Sequence, residues 1–260
     1  MTDLFYSPRL TLVRAEHHIR DFDRVIQDFV NSTPWTHFVE EDQNTGQHVH
    51  KIKFDQQLPQ MLPCILFDAT SNLRAALDQA GYASALAAKS PSLKAIKFPF
   101  SSCEDKFGRH LAGACKDLPP AIRDIFARHQ PFKGGNDTLW ALNEIANAKK
   151  HLALKPLLIR SPSVFYTADV IGDGWRSETV SPGGFGAGWD PEKSEIILVT
   201  TPPGVQPRIT ADVTFNVAID GIDVLEGQQA SHVLHAMKRI VQGILVATET
   251  ECRRLGFQIE

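Results

Sequence analysis

The sequence has no uninterrupted apolar run of the roughly 18–20 residues that a membrane-spanning helix needs, so no spanning helix is expected. Its opening, MTDLFYSPRL, lacks a basic stretch followed by an apolar core, so no secretory leader is expected. Cysteine is scarce: Cys64, Cys103, Cys115 and Cys252 are scattered, with no C-x-x-C pair. Reduced thiols in a cytoplasmic protein are the expectation. Charge bias is slight. Twenty-seven Lys and Arg against 30 Asp and Glu give a formal charge of −3, which argues against a generally basic nucleic-acid binder but leaves room for a local basic patch. There is no H-E-x-x-H and no G-x-S-x-G, and the glycine-rich stretch 182–190 lacks the Gly-Lys-Ser/Thr of a P-loop and reads as a loop. No metal and no cofactor are expected. Neither an internal repeat nor a low-complexity tract is present.

What is present is ordinary globular material. With 43% hydrophobic and 22% charged residues, the 260-residue chain can bury a sizeable core. Residues 9–31 keep a three-four spacing of Leu12, Ala15, Ile19, Phe22, Ile26 and Phe29, the seam of a helix packed on other helices. Two strands, 36–41 and 48–54, flank a polar loop ending in Gly46, which predicts a hairpin with His48, His50, Ile52 and Phe54 on one face.

The stretch 65–86 predicts a central helix with an apolar row at Leu66, Leu73, Leu77 and Ala80. Beside that row runs a polar one at Ser71, Arg74 and Asp78. The segment 94–100, KAIKFPF, reads as an edge strand or an extended linker because of Pro99. Two shorter helices are predicted at 104–115 and 120–129. A helix over 139–151 follows, with Asn136 or Asp137 as its N-cap and polar residues Asn143, Asn147, Lys150 and His151 along it.

After about residue 158 the texture turns to strands at 163–171, 195–200 and 209–219, the last with clean alternation of apolar and polar positions. An amphipathic helix, 228–255, closes the chain, and Gly256 is suited to the residue after it. The order predicts one α+β domain over 1–260. Its helical part comprises 9–31, 62–158 and 228–256. An antiparallel sheet over 36–54 and 163–220 joins the early hairpin to the late strands.

The two polar rows give the candidate site. Arg74 and Asp78 are four apart, so an ion pair along the helix that also pins a neighbouring helix is one reading. In the other, Arg74 holds a phosphate and His151 acts as general acid or base. The paired histidines His48/His50 and His232/His235 lack further ligands at metal spacing and read as surface or crevice residues.

The pieces LRAALD, FPF and HQPFKGGNDTLWALNEIANAKKH carry a resemblance. Over residues 62–158 the chain resembles a group of bacterial helical proteins with the patterns LRxxLDH, FPI, QPY and LWxLxxLxNxDKHR, and is more distantly similar to the HEPN superfamily. Many HEPN proteins are metal-independent ribonucleases with an R-x(4–6)-H motif; others only bind nucleotides or partners. The resemblance implies an HEPN-like bundle that binds RNA or a nucleotide, with a homodimer as a compatible assembly. It sets Arg74 and His151 in catalytic roles and Asp78, Asn147 and Lys150 in substrate binding. The chain departs from the pattern at Gln79, where the group has histidine, and at Lys149 and Leu152, where it has aspartate and arginine. His151 would then have to supply the chemistry that Gln79 cannot. The alternative is a non-enzymatic binding or assembly module in which the same residues form a structural network.

Overall fold

The computed structural model describes residues 3–147, 157–170, 189–190, 192–203 and 207–259. Its elements run α1 (Tyr6–Asn31), β1 (Trp35–Glu41), β2 (His48–Phe54), α2 (Leu62–Ala87), α3 (Glu104–Ala114), α4 (Pro120–Arg128), α5 (Asp137–Ala146), β3 (Leu157–Val170), β4 (Trp189–Asp190), β5 (Glu195–Thr201), β6 (Pro207–Ile219) and α6 (Ala230–Arg254). A short 3-10 turn, Asp223–Leu225, precedes α6. The fold is α+β, as expected. No described helix is long and apolar enough to cross a membrane.

Contacts divide the chain into two compact units. The first takes Met1–Arg24, Gln60–Leu157 and Ile219–Glu260; the second takes Val25–Pro59 and Leu158–Ala218. The division inside α1 therefore falls after Arg24.

The helical unit is built round α2, which packs against both α5 and α6. Leucine and alanine favour helix, and Pro63 sits in the first turn, where its missing N–H costs nothing. The expected row is the buried one: Leu66, Leu73, Leu77 and Ala80 are all 0–1% exposed. Gly81 does not fray the helix. It is a packing position, where an added Cβ would meet Ile96 Cγ2 at 3.3 Å and Phe126 Cε2 at 3.4 Å. Buried hydroxyls are satisfied within the helices: Thr70 donates to the Leu66 carbonyl, Ser84 to Ala80 and Thr248 to Ile244.

Helices α1 and α6 are bridged at three levels. Arg9 Nη1 donates to Glu249 Oε1 at 2.7 Å. Lys238 Nζ lies 3.3 Å from Glu16 Oε1. Asp23 accepts from Ser231 Oγ at 2.5 Å and faces His235 Nε2 at 2.8 Å. Positions 9, 16 and 23 are seven apart, two helical turns, so they fall on one face of α1. Their partners descend along α6, so the two helices run antiparallel. At the end of this seam the Leu4 N–H donates to the Ile259 carbonyl at 2.8 Å. Helix α6 closes at Gly256, whose φ of +75° favours glycine.

The second unit holds a four-stranded antiparallel sheet in the order β1-β2-β5-β4 and a separate pair, β3-β6. The hairpin register sets Trp35 opposite Phe54 and Glu41 opposite His48. Strand β5 joins β2 with a register shift between His50 and Lys51. The expectation that the late strands join the hairpin therefore holds for β5, whereas β3 and β6 pair with each other; β4 lies at the end of the stretch expected as a loop. Strands β1, β2 and β5 have 7 residues each, while β3 has 14 and β6 has 13, so the two long strands match each other in length and can satisfy most of one another's backbone groups along one edge. Ile52, Phe54, Ile196, Leu198 and Val213 form the unit's core. The alternation expected along β6 fades at its end, where Val217, Ala218 and Ile219 are all buried. The segment 94–100 forms no strand.

Candidate functional site

Four short stretches converge on one side of α2. Arg74 Nη1 donates to Asn147 Oδ1 at 2.6 Å. Asn147 Nδ2 in turn donates to Asn143 Oδ1 at 2.7 Å. The Arg74 guanidinium lies over the Phe100 ring, 5.7 Å from its centre. One turn along α2, Asp78 Oδ1 accepts the Phe98 N–H at 2.8 Å. The F-P-F segment is also held from two other directions. His110 Nδ1 meets the Phe100 carbonyl at 2.8 Å, and the Ser101 N–H donates to the Pro131 carbonyl at 3.0 Å.

The local chemistry explains why these groups arrive where they do. Helix α5 begins at Asn136, whose Oδ1 accepts the Leu139 N–H at 3.0 Å. Its described part ends with Asn147 as the C-cap, and the rest of the expected helix, 148–151, lies outside the described residues. Asn147 is a cap side chain turned back to α2. The loop before α5 is tightly folded. Gln130 has a φ of 44°, and its carbonyl receives the N–H of Phe132 at 2.7 Å and of Asn136 at 2.8 Å. This loop borders an open cleft of about 400 Å³ lined by Arg128, His129, Gln130, Asn136, Asp137 and Thr138.

Arg74 and Asp78, expected as partners along α2, each take a separate one. Burial pushes the Asp78 carboxyl above its ordinary range; the Phe98 N–H and the Arg74 charge pull the other way and do not cancel it. Arg74 Nε is buried and has no hydrogen-bond partner among the described residues. A guanidinium fixed by one asparagine and one aromatic face keeps its plane and leaves other N–H donors for a planar or tetrahedral oxyanion.

Gln79, at the position where the resembled group has histidine, is committed to packing. Its Oε1 accepts from Ser7 Oγ at 3.1 Å and Thr11 Oγ1 at 2.9 Å, both on α1. Lys149, Lys150, His151 and Leu152 lie outside the described residues, as does most of the glycine-rich loop. The structure therefore brings Arg74, Asp78 and Asn147 to one place and describes neither Lys150 nor His151. His48 and His50 share a face of β2, whereas His235 is held by Asp23. Among the described residues no group of three or more His, Cys, Asp or Glu is arranged to hold a metal ion.

Phe100 and the Phe98 N–H were not singled out from the sequence as part of this site. The signal was the proximity of F-P-F to L-R-A-A-L-D in the resembled pattern, but a backbone donor leaves no trace in residue identity. The chain matches no protein-family model, no curated protein and no solved structure.

Proposed function

We propose that this chain is an HEPN-like protein that binds RNA or a nucleotide through a phosphate held by Arg74. The observation that carries the reading is the state of the Arg74 guanidinium. Asn147 engages Nη1, Phe100 lies against its face, and buried Nε has no partner among the described residues. The remaining Nη N–H groups are the donors from which a phosphate oxygen would accept. Asn147 and Asn143 orient the guanidinium, and Asp78 fixes the F-P-F segment that carries Phe100. Lys150 and His151 follow Asn147 within four residues of chain. In this reading Lys150 adds charge for the phosphate, and His151 provides the proton transfer if the bound RNA is cut. The resemblance and the scattered thiols extend the proposal to a bacterial cytoplasmic protein.

The second reading is a binding or assembly module without catalysis. The observation in its favour is that the Arg74–Asn147–Asn143 chain of hydrogen bonds also fastens the end of α5 to α2.

The test is binding and cleavage of labelled tRNA and mRNA fragments by the wild type and by Arg74→Ala, Arg74→Lys and His151→Ala. Loss of a charge-assisted phosphate contact is expected to weaken binding about tenfold or more in Arg74→Ala, with partial retention in Arg74→Lys. His151→Ala is expected to bind and not to cleave. RNA binding by a folded Arg74→Ala equal to that of the wild type sinks the phosphate reading. Binding without cleavage in every sample leaves the module.

A further inference from the structure

In the second unit the hairpin register sets His37 opposite Ile52 and Val39 opposite His50, so both histidines share one face on neighbouring strands. Their ring planes differ by 7° and their centres are 5.4 Å apart. His50 Nδ1 stands 3.3 Å from His37 Nε2. The centres are farther apart than the nitrogens by about one ring width, so the rings meet edge to edge with the nitrogens aimed at each other. That arrangement is an N–H···N hydrogen bond, which requires one nitrogen to carry the proton and the other to offer its lone pair. At its other edge His50 Nε2 meets Thr201 Oγ1 at 3.3 Å. The contacts thus run β1 to β2 to β5. His50 is 3% exposed, while His37 stands on the sheet's edge strand within reach of solvent. Among the described residues no third His, Cys, Asp or Glu joins the pair in an arrangement that could hold a metal ion.

We propose that His37 and His50 form a one-proton clamp that holds edge strand β1 on β2, and that a second proton, arriving under mild acid, opens it. With no proton or one proton added to the neutral pair, a hydrogen between the rings satisfies both. With two, an N–H faces an N–H, and one ring must leave. His50 is enclosed, so His37 is the ring that turns out, and it takes with it a tie on β1.

Other charges bear on the pair. Among the described residues, His48 lies two positions along β2 on the same face, and Glu41 is opposite it on β1. Val199 and Thr201 on β5 bring no charge. Glu40, Lys51, Lys53 and Glu195 pair with one another on the alternate face. Burial depresses both imidazoles below their ordinary value, and the neighbouring His37 and His48 depress His50 further. A folded-state value below the unfolded one means that the unfolded chain takes protons first. The pair's contribution is complete above about pH 6.5 and is lost at lower pH, as the folded pair passes through its depressed values and takes its second proton.

The test is hydrogen exchange on the full chain at pH 7.5 and 5.0, corrected for the intrinsic rate. Protection of the β1–β2 amides is expected to fall about tenfold in the wild type while α2 and α6 keep theirs. His37→Gln retains a polar edge residue without the titrating ring, and its β1 protection is expected not to change with pH. His48→Gln is expected to behave as the wild type. Unchanged wild-type protection overturns the clamp, and so does an equal acid loss in His37→Gln. Imidazole 15N spectra give a second reading: the pair is expected to titrate in two separated steps, and a single joint step overturns it.

Discussion

Asp78 shows how one side chain can serve the fold at some cost. Its carboxylate orients F-P-F by accepting the Phe98 N–H, yet burial raises its proton affinity. A raised folded-state value makes the native state take up a proton before the unfolded chain does. The linked stability is therefore fully present below about pH 3.9, the unfolded value, and is lost as pH rises through the folded-state value. Asp78→Asn removes that titration. Relative to Asp78→Asn, the wild type is expected to gain stability as pH falls from 7 towards 4, which denaturant melts of both proteins will measure. Asp78→Ala instead orphans the Phe98 N–H and is expected to cost about 1–3 kcal/mol at neutral pH. Gly135 is a second sharp position. An added Cβ would lie 2.7 Å from the Gln130 carbonyl oxygen and 2.7 Å from Phe132 Cε2, so Gly135→Ala is expected to lose about 1–3 kcal/mol by thermal melt. At this scale the sequence was a partial guide. Arg74, Asp78 and Asn147 stand together, because helical spacing and a polar row are legible. Their partners are not, because Asp78 chose a backbone N–H and Arg74 an aromatic face. His37 is likewise illegible from sequence, because only the observed register brings it diagonally beside His50.

Most elements were legible by periodicity. The hairpin strand 48–54 and the buried row of α2 follow from periods of two and of three to four. Pairing between elements is another matter. Nothing in the alternation of β6 says that its partner is β3, because alternation reports which face is buried and not which strand lies alongside. The α1–α6 seam was hidden for a different reason. Arg9, Glu16 and Asp23 fall outside the apolar stripe, where charged residues ordinarily face water, and only the antiparallel placement of α6 makes them bridges. Glu249 is the seam's most enclosed member, 8% exposed, and it also accepts from Arg253 Nη2 at 2.7 Å. Glu249→Ala is expected to cost about 1 kcal/mol, since both arginines keep access to water. Asp23→Ala, at the more exposed level, is expected to cost less. Parallel urea melts of the two variants will rank them, and an equal loss would argue against the burial ordering.

Neither unit of the whole molecule is a continuous piece of chain. The helical unit is assembled from three stretches, 1–24, 60–157 and 219–260, and the sheet unit from two. Composition and length cannot reveal such interleaving, because it depends on which distant segments find each other. The seam between α1 and α6 has a consequence for synthesis. A ribosome delivers α1 and α2 long before α6, and until then Leu12, Ile19, Phe22 and the apolar row of α2 lack their final cover. Closure across more than 200 residues is slow in entropic terms and leaves sticky surface open meanwhile. A nascent chain stalled before residue 230 is expected to bind a hydrophobic dye and to be captured by a general chaperone, whereas release of the completed chain is expected to end both. Helix α6, which begins more than 200 residues after α1 does, is the one that lets α1 become part of a core.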